Sequence, residues 1–146
     1  MKQASCRDRL EQALARIADP KGEGARACLT VYAEAARAAA DAADARAARG
    51  AALGPFDGTI VSIKDLFDVA GEPTRAGSKI LAEEAAPAKA DATVVQRLRA
   101  AGAVIIAKTN MTEFAFGAVG ANPQSARPAI RPTVPACRAG PRPAPR

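Results

Sequence analysis

The chain has 146 residues, 49% of them hydrophobic, with a formal net charge of +6. That length suits one domain, and with aromatics at 3% and no Trp its core is thin, since alanine buries little area. The charge does not signal a nucleic-acid binder. Residues 125–146 carry five of the 21 basic side chains (Arg127, Arg131, Arg138, Arg142 and Arg146) and none of the 15 acidic ones, so the body is near neutral.

In chain order, residues 5–18 predict a short amphipathic helix with Leu10, Leu14 and Ile17 on one face. Asp19-Pro20-Lys21-Gly22 closes it. Residues 25–49 predict one long Ala-rich helix ending at Gly50, with Arg37, Asp41, Asp44 and Arg46 as a solvated stripe. Gly54 to Gly58 is turn chemistry, and Thr59-Ile60-Val61-Ser62-Ile63 predicts a buried strand. A short helix over 78–85 comes next, stopped by Pro87. Asp91 is the expected N-cap of a helix over 92–101, with Val94, Val95 and Leu98 on its apolar face. Residues 103–107 predict a second buried strand, and Thr112 caps a last helix through Phe116. Strand, helix, strand in that order implies parallel pairing through a crossover. The expected class is therefore α/β: N-terminal helices, then a partial parallel or mixed sheet with crossover helices.

Cys6, Cys28 and Cys137 show no metal or redox spacing, and the chain has no His, which removes the commonest zinc ligand and catalytic base. No metal or cofactor is expected. The N-terminus lacks the apolar core of a signal peptide, and no run is long enough to span a bilayer, so no membrane association and a cytoplasmic location are expected.

The chemistry centres on Lys64, at the end of an apolar strand. A strand-end lysine is usually a solvated charge. If buried, its pKa falls, and the neutral amine can accept a proton and activate a serine. Periodicity alone leaves both readings open.

Two long segments narrow the choice. Gly54-Pro55-Phe56-Asp57-Gly58-Thr59-Ile60-Val61-Ser62-Ile63-Lys64-Asp65-Leu66-Phe67-Asp68-Val69-Ala70-Gly71 resembles the catalytic-lysine segment of amidase-signature enzymes. Asp91 through Ala115, containing Lys108-Thr109-Asn110-Met111-Thr112-Glu113-Phe114, resembles the segment that comes after it in that family. The resemblance runs from about Leu10 to Gln124. It implies a truncated amidase-signature fold that hydrolyses amide bonds with a Ser–cis-Ser–Lys triad and no cofactor. Lys64 would be the base that deprotonates the bridging serine, and a small-molecule amide would be the substrate of the full-length protein. Asp65 would support the site. Lys108-Thr109-Asn110 would pack and shape the loop, with Met111 and Phe114 as core or pocket wall. The continuation Leu66 to Gly71 looks more like general small-molecule amidases than like the A-type subunits of amidotransferases.

The family also needs a Gly-Gly-Ser-Ser-rich loop and a second serine segment, and neither is present. Ser62, Ser78 and Ser125 do not sit in such loops. The expected domains are 1–124, the N-terminal part of an amidase-signature domain, and 125–146, a disordered Pro/Arg/Ala tail read out of frame. The tail holds six of the chain's eleven prolines. Codons for the expected Phe-Gly-Thr-Pro, ttc ggc acg ccc, give Ser125-Ala126-Arg127-Pro128 when one t is lost. Codons for Cys137 to Arg146, read one nucleotide earlier, give Val-Pro-Gly-Gly-Ser-Ser-Ser-Gly-Ala-Ala. A chain lacking both serines is expected to be inactive by itself, as a remnant or as a fragment needing a partner.

Overall fold

The computed structural model describes residues 4–117 and Asn122, so the tail expected at 125–146 lies outside the described residues. The elements are α1 (Cys6–Ala18), α2 (Gly24–Ala27), β1 (Cys28–Val31), α3 (Ala33–Ala48), β2 (Ile60–Lys64), α4 (Lys79–Glu84), α5 (Thr93–Ala100) and β3 (Val104–Thr109), then a 3-10 turn at Glu113–Ala115.

Helix α1 opens with a capping box. The Ser5 hydroxyl accepts the Asp8 N–H at 3.0 Å, and the Asp8 carboxylate accepts the Ser5 N–H at 3.3 Å. Asp44, reaching across from α3, accepts the Cys6 and Arg7 N–H groups at 2.7 and 2.9 Å. A carboxylate at a helix N-terminus satisfies orphan donors and suits the helix dipole. The stripe expected to be solvated is therefore a seam of contacts. Arg37 pairs with Glu11 and Glu34, Asp41 with Arg7, and Arg46 with Asp57. Alanine makes the seam possible, because Ala36, Ala40 and Ala43 are buried and let the two helices approach closely.

The long helix expected over 25–49 is three elements. Cys28-Leu29-Thr30-Val31 leaves the helical path and pairs antiparallel with β3. Its apolar and β-branched side chains suit a pleated surface, and the partner strand lies far along the sequence.

The sheet order is β1-β3-β2, with β2 parallel to β3, so the sheet is mixed as expected and β3 is central. Val104 through Lys108 are all buried. One face packs on α1 and α3 through Val104, Ile106 and Ala107, and the other on α5 through Ile105, Ile63 and Val95. Two consecutive residues, Ile106 and Ala107, share a face because the register with β2 slips there: Val61 faces Ile105, and Ser62 already faces Ala107. This bulge resets the alternation for the next residue, Lys108.

Three smaller expectations change. Asp91 does not cap α5; the N-cap is Ala92, and the Asp91 carboxylate accepts the Ala70 N–H at 2.8 Å and pairs with Arg99 at 2.9 Å. Thr112 stands at the N-cap position without a side-chain capping bond, and the residues after it form a single 3-10 turn. Phe114 is half exposed and not a core residue, whereas Met111 is buried as expected.

Candidate functional site

Lys64 is the last residue of β2, opposite Thr109 in parallel register. Strand alternation sends Ile63 into the α5-side core and Lys64, with Ser62, to the opposite face, where both are exposed. The desolvation that a neutral amine requires is not supplied to Lys64 by the described residues. Four clefts, beside Asp65, Asp44, Tyr32 and Ile17, are lined by residues other than Lys64.

The buried lysine is Lys108. It is 2% exposed, and the bulge in β3 turns it toward the α5 side. Its Nζ lies 4.0 Å from Asp65 Oδ1 and 3.6 Å from Glu72 Oε2, and it makes no direct hydrogen bond. Asp65 is 1% exposed. Burial pushes its carboxyl above the usual carboxylate range, against the opposing pull of the Gly77 N–H, Lys108 and Arg75. Glu72 in turn accepts the Tyr32 hydroxyl at 2.8 Å, and burial together with this bond raises the Tyr32 phenol. Lys108, expected to pack near the site, is buried here. That it is buried beside two carboxylates is what sequence left out. The one available signal was the unbroken apolar run Val104-Ile105-Ile106-Ala107, which Lys108 continues as part of the same strand.

Asp65 also fastens its neighbours. Its N–H donates to the Thr109 carbonyl (3.1 Å), its carbonyl accepts the Ala76 N–H (2.9 Å), and its Oδ2 accepts the Gly77 N–H (3.5 Å). Gly77 has φ 70, and a Cβ there would stand 2.9 Å from both the Asn122 side-chain nitrogen and the Met111 carbonyl, so the position needs glycine on two counts. Asn122 is buried, and its amide donates to the carbonyls of Gly77 (2.6 Å) and Met111 (3.0 Å). Asn122 was not expected at the site, and no local sequence pattern marks it. A cleft of about 170 Å³ opens beside this cluster, lined by Asp65, Arg75, Ser78, Asn110 and Asn122 among others. Ser78, which directly follows Gly77, is buried on its wall.

Among the described residues no group of His, Cys, Asp or Glu could hold a metal ion, and no helix is long and apolar enough to cross a membrane.

A mixed sheet with charged groups gathered at the carboxyl end of a parallel strand is an α/β arrangement of the kind that places ligands beyond strand ends. The chain belongs to the amidase family, whose model matches residues 8–134. It is 52% identical over 121 residues to the A-type subunit of glutamyl-tRNA(Gln) amidotransferase from Anaeromyxobacter dehalogenans, covering 83% of this chain and 24% of that protein. It is 50% identical over 114 residues to AtzE, the 1-carboxybiuret hydrolase subunit of a Pseudomonas species, covering 77% and 24%. Among solved structures, an amidase superposes with a TM-score of 0.71 at 39% identity, over 86% of this chain and 28% of that one. The peptide amidase of Stenotrophomonas maltophilia gives 0.63 at 33% identity, over 76% and 22%. The chain thus spans about a quarter of the length of the relatives it matches. The amidotransferase and hydrolase relatives stand at nearly equal identity, so identity does not place general amidases ahead as Leu66 to Gly71 suggested.

Proposed function

We propose that this chain is the lysine-bearing part of an amidase-signature hydrolase that cleaves carbon–nitrogen amide bonds, with Lys64 as its catalytic base. One observation carries the reading: within a family-matched segment, Lys64 projects from the carboxyl end of a parallel strand, on a face left open by the described residues. In this reading a nucleophilic serine passes its proton through a bridging serine to the Lys64 amine, and the acyl-enzyme is then hydrolysed. Both serines, and the desolvation that keeps the amine neutral, come from parts of the amidase fold that this chain does not span. The substrate is a small-molecule amide and the setting cytoplasmic. Because two relatives are named as subunits, a partner chain that completes the site fits the same reading.

A second reading is that chain 1–146 itself is a non-enzymatic remnant, with a reading frame that changes at Ser125. The family match ends at residue 134 and overlaps the start of that tail, which makes the nucleotide sequence the deciding observation. Sequencing across the codons for Gln124 and Ser125 and onward tests it. An extra nucleotide there restores a serine-rich loop. The restored product is then expected to hydrolyse amides and to lose at least about a thousandfold of its rate on Lys64→Ala. Full activity in that variant would remove Lys64 from the mechanism. Purified 1–146 is expected to show no turnover above its own Lys64→Ala control.

A further inference from the structure

We infer that Lys108 and Asp65 form a positioning pair for Lys64, holding the backbone from which it projects. The inference rests on Lys64 being the base. Asp65 is the next residue after Lys64, and its N–H, carbonyl and carboxylate reach three other residues: Thr109, Ala76 and Gly77. Lys108 faces Oδ1 while Gly77 takes Oδ2, so the ammonium balances the carboxylate's charge without competing for the oxygen that pins the turn. Burying two opposite charges where an apolar pair would pack is not an efficient route to stability. What the charges achieve here is geometric.

The turn they pin is an unfavourable one. Ala76 has φ 50, and its carbonyl accepts the N–H of Phe114, which has φ 48 and precedes Ala115 at φ 62. These are all the non-glycine residues with positive φ among the described residues, and they meet in one knot under the end of β2. Strained backbone of this kind persists only where its surroundings over-determine it. Asp65 and Asn122 supply the restraints: Asp65 from the Lys64 strand, and Asn122 through the carbonyls of Gly77 and Met111. The charged groups packed around the Asp65 carboxylate are Lys108 from β3, Arg75 from the turn and, beyond Lys108, Glu72 with the Tyr32 hydroxyl.

Chain 1–146, isotopically labelled, is monitored by NMR through a pH titration, with hydrogen exchange measured in parallel. In the unmodified chain, the Gly77 amide and the Lys64 resonances are expected to move with the same midpoint as the Asp65 carboxyl. Lys108→Met is expected to shift that midpoint upward and to speed exchange at Ala76 and Gly77 about tenfold more than at the α1 amides. Lys108→Arg restores both. Two results overturn the inference: Lys64 and Gly77 resonances that stay flat through the Asp65 titration, or Lys108→Met accelerating every amide alike. The unmodified-chain titration decides the matter even if Lys108→Met does not fold. None of these readouts requires turnover, so failure of the amide-hydrolysis reading leaves them interpretable.

Discussion

Individual side chains in this protein show how far burial, and not residue type, decides a role. Sequence singled out Lys64 and described the burial it would need, but the buried lysine is Lys108, four residues into a strand whose every preceding position is apolar. The reason was illegible because it depends on a bulge, and a one-residue slip in register reverses which face a side chain meets. Two predictions belong at this scale. Breaking a buried pair leaves the remaining charge uncompensated, so Lys108→Ala should cost about 3–5 kcal/mol. The double variant Asp65→Asn/Lys108→Met should cost less than the sum of its singles by more than about 1 kcal/mol, as read from urea unfolding. Additive costs would show that the two side chains do not sense one another. The second prediction concerns pH. The Asp57 carboxyl is held at about 2, below its ordinary 3.8, first by the Arg46 guanidinium (2.6 and 2.9 Å) and then by the Leu53 N–H. A depressed carboxylate contributes stability above its unfolded pKa, and that contribution is lost as pH falls through the folded value. Asp65 runs the other way, since burial raises its carboxyl and protonation there favours the fold. Unfolding midpoints between about pH 5 and about pH 2 should therefore fall less steeply in Asp57→Asn than in the unmodified chain. Parallel curves would dissociate Asp57 from acid lability.

At the scale of elements, periodicity located most of the pieces, and non-local pairing decided the rest. Helix α1, strand β2, helix α4, helix α5 and strand β3 lie within two residues of the expected bounds, because their apolar spacing or caps are local signals. The break between α2 and α3 was invisible, since Cys28–Val31 is short and its partner lies some eighty residues away in β3. Alanine-rich sequence flanking it reads as helix throughout. The corner that leads from α1 into α2, just before the break, depends on Gly24. A Cβ there would stand 2.1 Å from the Ile17 carbonyl oxygen, a backbone atom that cannot swing aside. Gly24→Ala should force α1 and α2 apart and destabilise the fold by about 1–3 kcal/mol. Amide exchange should quicken first in β1, which the corner delivers to the sheet. An unchanged urea midpoint would mean the corner yields freely and does not set the path into β1.

For the molecule as a whole, the described residues leave the β2 side of the sheet without a partner strand. Strand β2 pairs with β3 on one side only, and among the described residues no strand pairs with its other edge. Leu66, Phe56 and Leu53 lie exposed on the segments flanking that strand, and Ile80, Val94, Phe114 and Phe116 are also exposed. An open strand edge presents unpaired N–H and C=O groups that template pairing with another chain, and exposed apolar surface adds to the drive. Natural edges are protected by charge, and β2 carries a charged side chain only at its last residue, Lys64. Chain 1–146 should therefore self-associate with rising concentration, detected by light scattering across a dilution series. Ser62→Lys places a second charge on the exposed face of the same strand without touching the core. It should reduce association while leaving the thermal midpoint within a few degrees, about the shift that a surface change of half a kcal/mol produces. If association is instead unaffected by Ser62→Lys and falls on Phe116→Ser, the exposed apolar side chains drive it and the strand edge does not.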